Sequence, residues 1–291
     1  MITGSIVALV TPMTPEGDID WDALAKLVEY HIVSGTAALG VVGTTGESAT
    51  LTVPEHCQVI RFAVEQAAGR IPIVAGTGAN STHEAVELTV SAAEAGVDYS
   101  LLVTPYYNKP PQEGLYRHFC QVASSVNLPI ILYNVPGRTG VDLANETVLR
   151  LSEVSNIVGL KDATGDVERG AQLIAQLPDT FAIFSGDDGT ALELMRAGAK
   201  GNVSVTANVA APQVAEVCRL ALAGDFAGAE AVNDTLSALN ESLFVQANPI
   251  PVKWAMAQVG MIGAGIRLPL IELEQAHHGA VHTALVRAGL L

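Results

Sequence analysis

A (β/α)8 TIM barrel with a C-terminal helical extension is the architecture this sequence predicts, on three observations. Short apolar runs rich in β-branched residues recur along the chain, segments with helical apolar spacing stand between them, and the alternation passes through eight units before it stops. The first unit pairs a strand at 5–10 with a helix at 21–33, and the second a strand at 39–43 with a helix at 54–68. The third and fourth place strands at 71–75 and 100–104 before helices at 82–95 and 113–126. Strands at 129–135 and 157–161 are followed by helices at 146–154 and 167–177, and strands at 181–185 and 201–206 by helices at 191–197 and 212–223. Each crossover must return over one face of a sheet, so strict alternation means parallel strands. Such strands are covered on both sides, and these runs are almost wholly apolar, as that requires. Eight units favour a closed barrel over a doubly wound open sheet. After Gly224 the pattern changes: 226–244, 251–259 and 272–288 read as helices with no strand between them. The expected division is therefore a barrel over 1–224 that carries the active site and a three-helix extension over 225–291.

Composition narrows the function. A chain of 291 residues with 49% hydrophobic and 15% charged residues has the apolar content for a large buried core. Its formal charge of −15 argues against nucleic acid or an anionic membrane as partner, because phosphates would be repelled. Any anionic substrate must then be met by deliberately placed cations. Cys57, Cys120 and Cys218 form no CxxC pair and read as reduced core residues of a cytoplasmic protein. The amino terminus enters a strand-like run without a basic leader, so no secretory signal is expected. The uncharged stretch 121–137 is broken by Pro129, Asn134 and Pro136, and no membrane span is expected.

In such a barrel the chemistry belongs at the carboxy-terminal strand ends. Lys161, one of five lysines, ends the run Ile157-Val158-Gly159-Leu160 and precedes the turn-like Asp162-Ala163-Thr164-Gly165-Asp166. With period-two alternation Gly159 and Lys161 share a face, so the amine points into the barrel, where desolvation favours the free base that attacks carbonyls. Polar residues gather at the other strand ends: Gly43-Thr44-Thr45-Gly46-Glu47-Ser48, Thr104-Pro105-Tyr106-Tyr107-Asn108, Tyr133-Asn134-Val135-Pro136 with Arg138, Ser185-Gly186-Asp187-Asp188, and Val203-Ser204-Val205-Thr206. Each has a plainer alternative. The Gly-Thr-Thr-Gly run could be a loop, Tyr133 a core ring with a bonded hydroxyl, and Arg138 half of a loop salt bridge. Asp187 and Asp188 read as caps of the helix at 191, with Thr190 competing. Glu274, His278 and His282 share one helix face, but on an exposed terminal helix no metal site is expected.

The four motifs Gly43-Thr44-Thr45-Gly46-Glu47, Tyr133-Asn134-Val135-Pro136 with Arg138, Lys161-Asp162-Ala163-Thr164-Gly165 and Ser185-Gly186-Asp187-Asp188 together resemble the Schiff-base pyruvate aldolase and lyase family, over essentially the whole chain. The resemblance is nearest to members that condense pyruvate with L-aspartate 4-semialdehyde. It implies that Lys161 forms the imine and that Tyr133 moves protons with Thr44 and with Tyr107, the last reaching in from a neighbouring subunit. It further implies that Thr45 holds the pyruvate carboxylate, that Arg138 holds the semialdehyde carboxylate, and that Gly186 and Val203 line the pocket. No metal or organic cofactor is implied, and a homo-oligomer, a dimer of dimers, is. Ser48, Ala49, His56, Asn80, Glu84 and Tyr106 match positions that bind lysine in regulated relatives. Val53 departs from that pattern, which often has histidine. N-acetylneuraminate lyase and 2-keto-3-deoxy sugar acid aldolases are the alternatives within the family, and a non-catalytic keto-acid-binding barrel the alternative outside it.

Overall fold

Eight parallel strands close on themselves in the computed structural model, which describes residues 1–291. They are β1 (Gly4–Ala8), β2 (Ala38–Val41), β3 (Ile73–Gly76), β4 (Tyr99–Val103), β5 (Ile130–Asn134), β6 (Ile157–Asp162), β7 (Ala182–Ser185) and β8 (Gly201–Ser204). Closure is direct, since Ile6 of β1 registers with Ala38 on one side and with Val203 on the other. Alternation then sorts the side chains into two layers. Ile6, Ala38, Val74, Leu101, Ile131, Tyr133, Ala182, Phe184 and Val203 fill the barrel interior, while Val7, Leu39, Ile73, Leu102, Leu132, Leu160 and Ile183 face the helices in a separate cluster of 64 buried residues.

The helices on the outside are α1 (Trp21–Val33), α2 (Val53–Ala67), α3 (Thr82–Ala95), α4 (Gln112–Ser125), α5 (Pro136–Thr139), α6 (Asn145–Leu151), α7 (Val167–Ile174), α8 (Ala191–Arg196) and α9 (Ala207–Leu222). Local chemistry fixes several of their starts. Asp20 accepts from the Ala23 amide at α1, Ser81 from Glu84 at α3, and Thr52 and Glu55 form a reciprocal capping box at α2. Two features depart from the sequence-based expectation. The single turn α5 is too short to show a helical period, yet Pro136 at its first turn favours it and it carries Arg138. Helix α9 starts at Ala207 rather than at 212: the backbone leaves helical φ/ψ at Ala210, two residues before Pro212, and only the stretch beyond that kink shows the helical apolar period.

The extension comprises α10 (Phe226–Ser242), α11 (Ile250–Gln258) and α12 (Gln275–Arg287). Ala229, Leu236, Leu239, Val252, Val281 and Leu285 belong to the same buried cluster as the outer face of the barrel. The α10–α11 connection brings Phe244 and Asn248 to the barrel mouth. Arg267, between α11 and α12, grips Glu55 through two hydrogen bonds of 2.6 and 2.9 Å and donates to Gly17 O and Thr50 O. No helix is long and apolar enough to cross a membrane.

Candidate active site

The carboxy-terminal end of the barrel encloses a cavity of about 130 Å³, room for a molecule of a few heavy atoms. Thr44, Thr45, Tyr133, Arg138, Lys161, Gly186 and Val203 all line it, together with Phe244 and Asn248 of the extension. Lys161 is 6% exposed, and its Nζ lies over the Tyr133 ring, 4.1 Å from the centroid. The juxtaposition follows from register, because Tyr133 of β5 pairs with Lys161 of β6 and both point inward. Gly186 makes room for it: a Cβ there would come within 2.8 Å of Lys161 Cε and of Ala163 Cβ.

A second buried lysine sharpens the choice of nucleophile. Lys253 of α11 is as deeply enclosed, but it forms an ion pair with Glu47 and donates to Thr11 O at 3.1 Å. Burial pulls the Lys253 amine below its ordinary range, against the Glu47 carboxylate, which pushes it up. Lys253 does not line the cavity, and its partners are Glu47 and Thr11. Lys161 has a ring face and an open cavity where Lys253 has a carboxylate.

The loop after β2 is built under strain. Val42 has φ 47° and Glu47 φ 57°, and a left-handed backbone at a β-branched residue costs roughly 1–3 kcal/mol. Gly46 is required by crowding, since a Cβ would sit 3.0 Å from Val42 backbone atoms, and Thr11 Oγ1 donates to its carbonyl at 2.7 Å. Within this loop Thr45 Oγ1 accepts a 2.9 Å hydrogen bond from Asn248 Nδ2. Its own proton is then free for a ligand in the cavity.

Arg138 makes no salt bridge: its Nη2 donates to Asn248 O at 3.0 Å, and no carboxylate of the chain meets it. Tyr107 is not at the cavity. It stands 88% exposed on the β4–α4 loop with φ 73°, its amide bonded to Thr139 O. Asp188 does not cap α8. It is buried and accepts from Asn202 Nδ2 and the amides of Val205 and Thr206, so it braces the end of β8. Thr190 takes the cap position, with Asp187 Oδ2 accepting from its amide and hydroxyl. His278 stacks on Trp254 at 4.6 Å between centroids, and no group of three His, Cys, Asp or Glu side chains is placed to hold a metal ion.

A larger cavity of about 420 Å³ adjoins the first and shares Thr44, Val135 and Arg138 with it. Ser48, Ala49, Val53, His56, Glu84 and Tyr106 line it, and Asn80 donates to Tyr106 O at 3.2 Å. His56 Nε2 donates to Gly76 O, and burial holds its imidazole below the ordinary range. Burial first, then the Glu84 carboxylate, push the Tyr106 phenol up.

A model of the dihydrodipicolinate synthetase family matches residues 1–288. The chain belongs to the dihydrodipicolinate synthetase family. Among similar members of the synthetase family, a 4-hydroxy-tetrahydrodipicolinate synthase from Marinobacter nauticus is 58% identical over 292 residues, covering 100% of both chains. The chloride-inhibited dihydrodipicolinate synthase of Acinetobacter baumannii, solved with pyruvate, is 56% identical, with a TM-score of 0.99 over 100% of both chains. The synthase of Cyanidioschyzon merolae, solved with lysine bound, is 39% identical, with a TM-score of 0.97 over 100% of this chain and 99% of that one.

Strand-end reasoning missed two residues that line the cavity, Phe244 and Asn248, and the buried Lys253 beside it. All three lie in the extension, where no strand end marks them, and the only sequence signal nearby is the proline-rich run Asn248-Pro249-Ile250-Pro251.

Proposed function

We propose that this chain is a 4-hydroxy-tetrahydrodipicolinate synthase, a lyase that condenses pyruvate with L-aspartate 4-semialdehyde at Lys161. The observation that carries the reading is the buried, ion-pair-free Lys161 amine above Tyr133, in a cavity whose other cation, Arg138, has no carboxylate partner. The Lys161 amine adds to the keto carbon of pyruvate and water leaves, giving an imine whose protonated nitrogen acts as an electron sink. Loss of a methyl proton yields an enamine, and its carbon attacks the aldehyde of the semialdehyde. The substrate's own amine then closes the ring on the imine carbon, expels Lys161 and releases (4S)-4-hydroxy-2,3,4,5-tetrahydrodipicolinate, the entry step of diaminopimelate and lysine biosynthesis. Tyr133 is assigned the proton transfers, with Thr44 beside it. Thr45 is assigned the pyruvate carboxylate, and Gly186 and Val203 the walls. The lysine is its own electrophilic catalyst, so the scheme uses no metal or organic cofactor.

Arg138 separates this reading from a sugar-acid aldolase and from a keto-acid sensor. A guanidinium without an internal partner suits a second anionic substrate, gripped through two parallel hydrogen bonds. Arg138→Ala should leave borohydride-trapped pyruvate imine intact and slow the condensation about 10- to 100-fold, a loss of roughly 1.5–3 kcal/mol. If the substitution abolishes imine formation, or if N-acetylneuraminate is cleaved faster than the semialdehyde is condensed, the reading is wrong.

The position of Tyr107 extends the proposal to assembly. Its ring is exposed in the single chain, so the relay from Tyr133 through Thr44 is completed by Tyr107 of a second subunit in a homodimer, and a dimer of dimers is the proposed assembly. Mixing Tyr107→Phe with Lys161→Ala subunits should restore part of the activity that each lacks alone. Exchanged heterodimers that stay inactive would rule out a shared site.

The larger cavity is the proposed lysine site, with Glu84 facing the ligand amine. Val53 lines it without a polar group, where sensitive relatives often have histidine, and one missing neutral hydrogen bond costs roughly 0.5–1.5 kcal/mol. Weak or absent feedback is expected; half-inhibition by micromolar lysine in a steady-state assay would contradict it. The barrel over 1–224 and the extension over 225–291 are retained as the working division, and a cytoplasmic location is proposed from the free cysteines.

A further inference from the structure

We infer that Lys253 and Thr11 are positioning residues for the keto acid: they clamp the turn from Val42 to Glu47, which carries Thr44 and Thr45, in the strained form that binds the substrate carboxylate. The inference rests on the condensation reading above and adds the device that keeps the carboxylate site in shape. Thr44, Thr45 and Gly46 line the cavity beside Lys161, and their successive amides donate to no acceptor in the chain. A run of amides without internal partners suits an anion. Such a turn does not hold itself. Left-handed backbone brackets it at Val42 and Glu47, and its own backbone bonds, Glu47 N to Thr44 O and Ser48 N to Gly43 O, are long at 3.1 and 3.2 Å.

The hold comes from outside the turn. Asn248 Nδ2 donates to Thr45 Oγ1 at 2.9 Å, Thr11 Oγ1 donates to Gly46 O at 2.7 Å, and Lys253 pairs with the Glu47 carboxylate, so three consecutive residues are each tied to another part of the chain. Two of these ties form one unit, because Lys253 Nζ also donates to Thr11 O at 3.1 Å. The other Glu47 oxygen accepts from the Arg267 amide at 3.3 Å. A carboxylate fixed at both oxygens fixes the backbone it grows from, and Glu47 has φ 57°. Without Lys253 that left-handed backbone loses its restraint, and the turn relaxes toward a commoner form that carries Thr45 away from the keto acid. Lys161 shares none of these ties, since its place is set by the β5–β6 register.

The test compares borohydride trapping of pyruvate with that of acetone, which has the keto group but no carboxylate, and reads the second-order rate constant of adduct formation on folded protein by mass spectrometry. Lys253→Met should slow trapping of pyruvate about 10-fold or more and Thr11→Val about threefold or more, as for weakened hydrogen bonds to a charged group, while trapping of acetone stays within about twofold. An ion pair that serves stability alone would lower the yield of folded protein and leave both rate constants as in the unaltered chain, which would overturn the inference. Equal slowing of both ketones would overturn it too, because the damage would then have reached Lys161. If Lys253→Met does not fold, the double variant Glu47→Gln with Lys253→Met, which strands no buried charge, decides: slowing of pyruvate alone supports the clamp, and any other result overturns it. The unaltered chain keeps the two readings apart. If it forms no pyruvate adduct, the condensation reading fails and the clamp with it; if it forms one and the variants trap pyruvate equally fast, only the clamp fails.

Discussion

Lys161→Ala should form no borohydride-trapped adduct with pyruvate and lose activity on the order of 10⁴-fold or more, the scale seen when a covalent nucleophile is removed. The expectation comes from the contrast between the two buried lysines. Lys253 already has a carboxylate and a carbonyl as partners and does not line the cavity, whereas Lys161 opens on it with a ring face beside it. An amine engaged in an ion pair must give up that pair before it can attack a carbonyl, and Glu47 would be left as an unpaired buried charge. Peptide mapping of the reduced protein should therefore place the added mass on the peptide that contains Lys161. Mass found on Lys253, or an adduct that survives Lys161→Ala, would overturn the assignment of the site.

Lys253→Met and Glu47→Gln should each destabilise the fold by about 3–5 kcal/mol, with midpoints of thermal unfolding lower by several degrees. Both side chains are almost wholly enclosed, with Lys253 2% and Glu47 0% exposed. Removal of one charge strands the other: Lys253 in Glu47→Gln would be a buried ammonium with only neutral acceptors, among them Thr11 O, and Glu47 without Lys253 would keep the Arg267 amide at 3.3 Å and Thr50 Oγ1. The double variant Glu47→Gln with Lys253→Met should cost less than the sum of the two, since neither charge remains. Denaturation curves for the four proteins measure this coupling, and additive losses, or single losses below about 1 kcal/mol, would show that the pair is not a unit.

The parts of the site legible in the sequence are those that obey a short-range rule. Gly159 and Lys161 lie two residues apart on an apolar run, which fixed the face of the lysine before any contact was known, and a strand-end location marked Thr44, Thr45, Tyr133 and Gly186 in the same way. Arg138 was visible as a residue, but whether it paired internally depended on which acidic groups came near it, and no spacing reports that. Asn248 meets Thr45 across 203 positions, and Lys253 meets Glu47 across 206. Neither pairing leaves a periodic trace, because both depend on how the extension folds back over the barrel mouth. The single turn α5 escaped for a different reason, since four residues cannot display a period of 3.6. The strand-end run at 104–108 marks Tyr107 as a polar residue, but its part in a neighbouring subunit's site follows only from resemblance, and its exposure in the single chain explains why no local rule assigns that part.

The pairing of Glu47 with Lys253 also sets an order of events during synthesis. A chain growing from its amino terminus exposes Glu47 long before Lys253 has left the ribosome, and at the usual pace of roughly 5–20 residues per second the interval is tens of seconds or less. Throughout that time the strained loop at Val42 carries a carboxylate with no counter-charge beneath it, and Thr45 lacks the amide that orients its hydroxyl. Lys161 and Tyr133 are thus synthesised well before Asn248 and Phe244, which complete the lining of the cavity. The contacts that close the cavity and neutralise Glu47 arrive only with the helical extension, so a product interrupted before it would lack both.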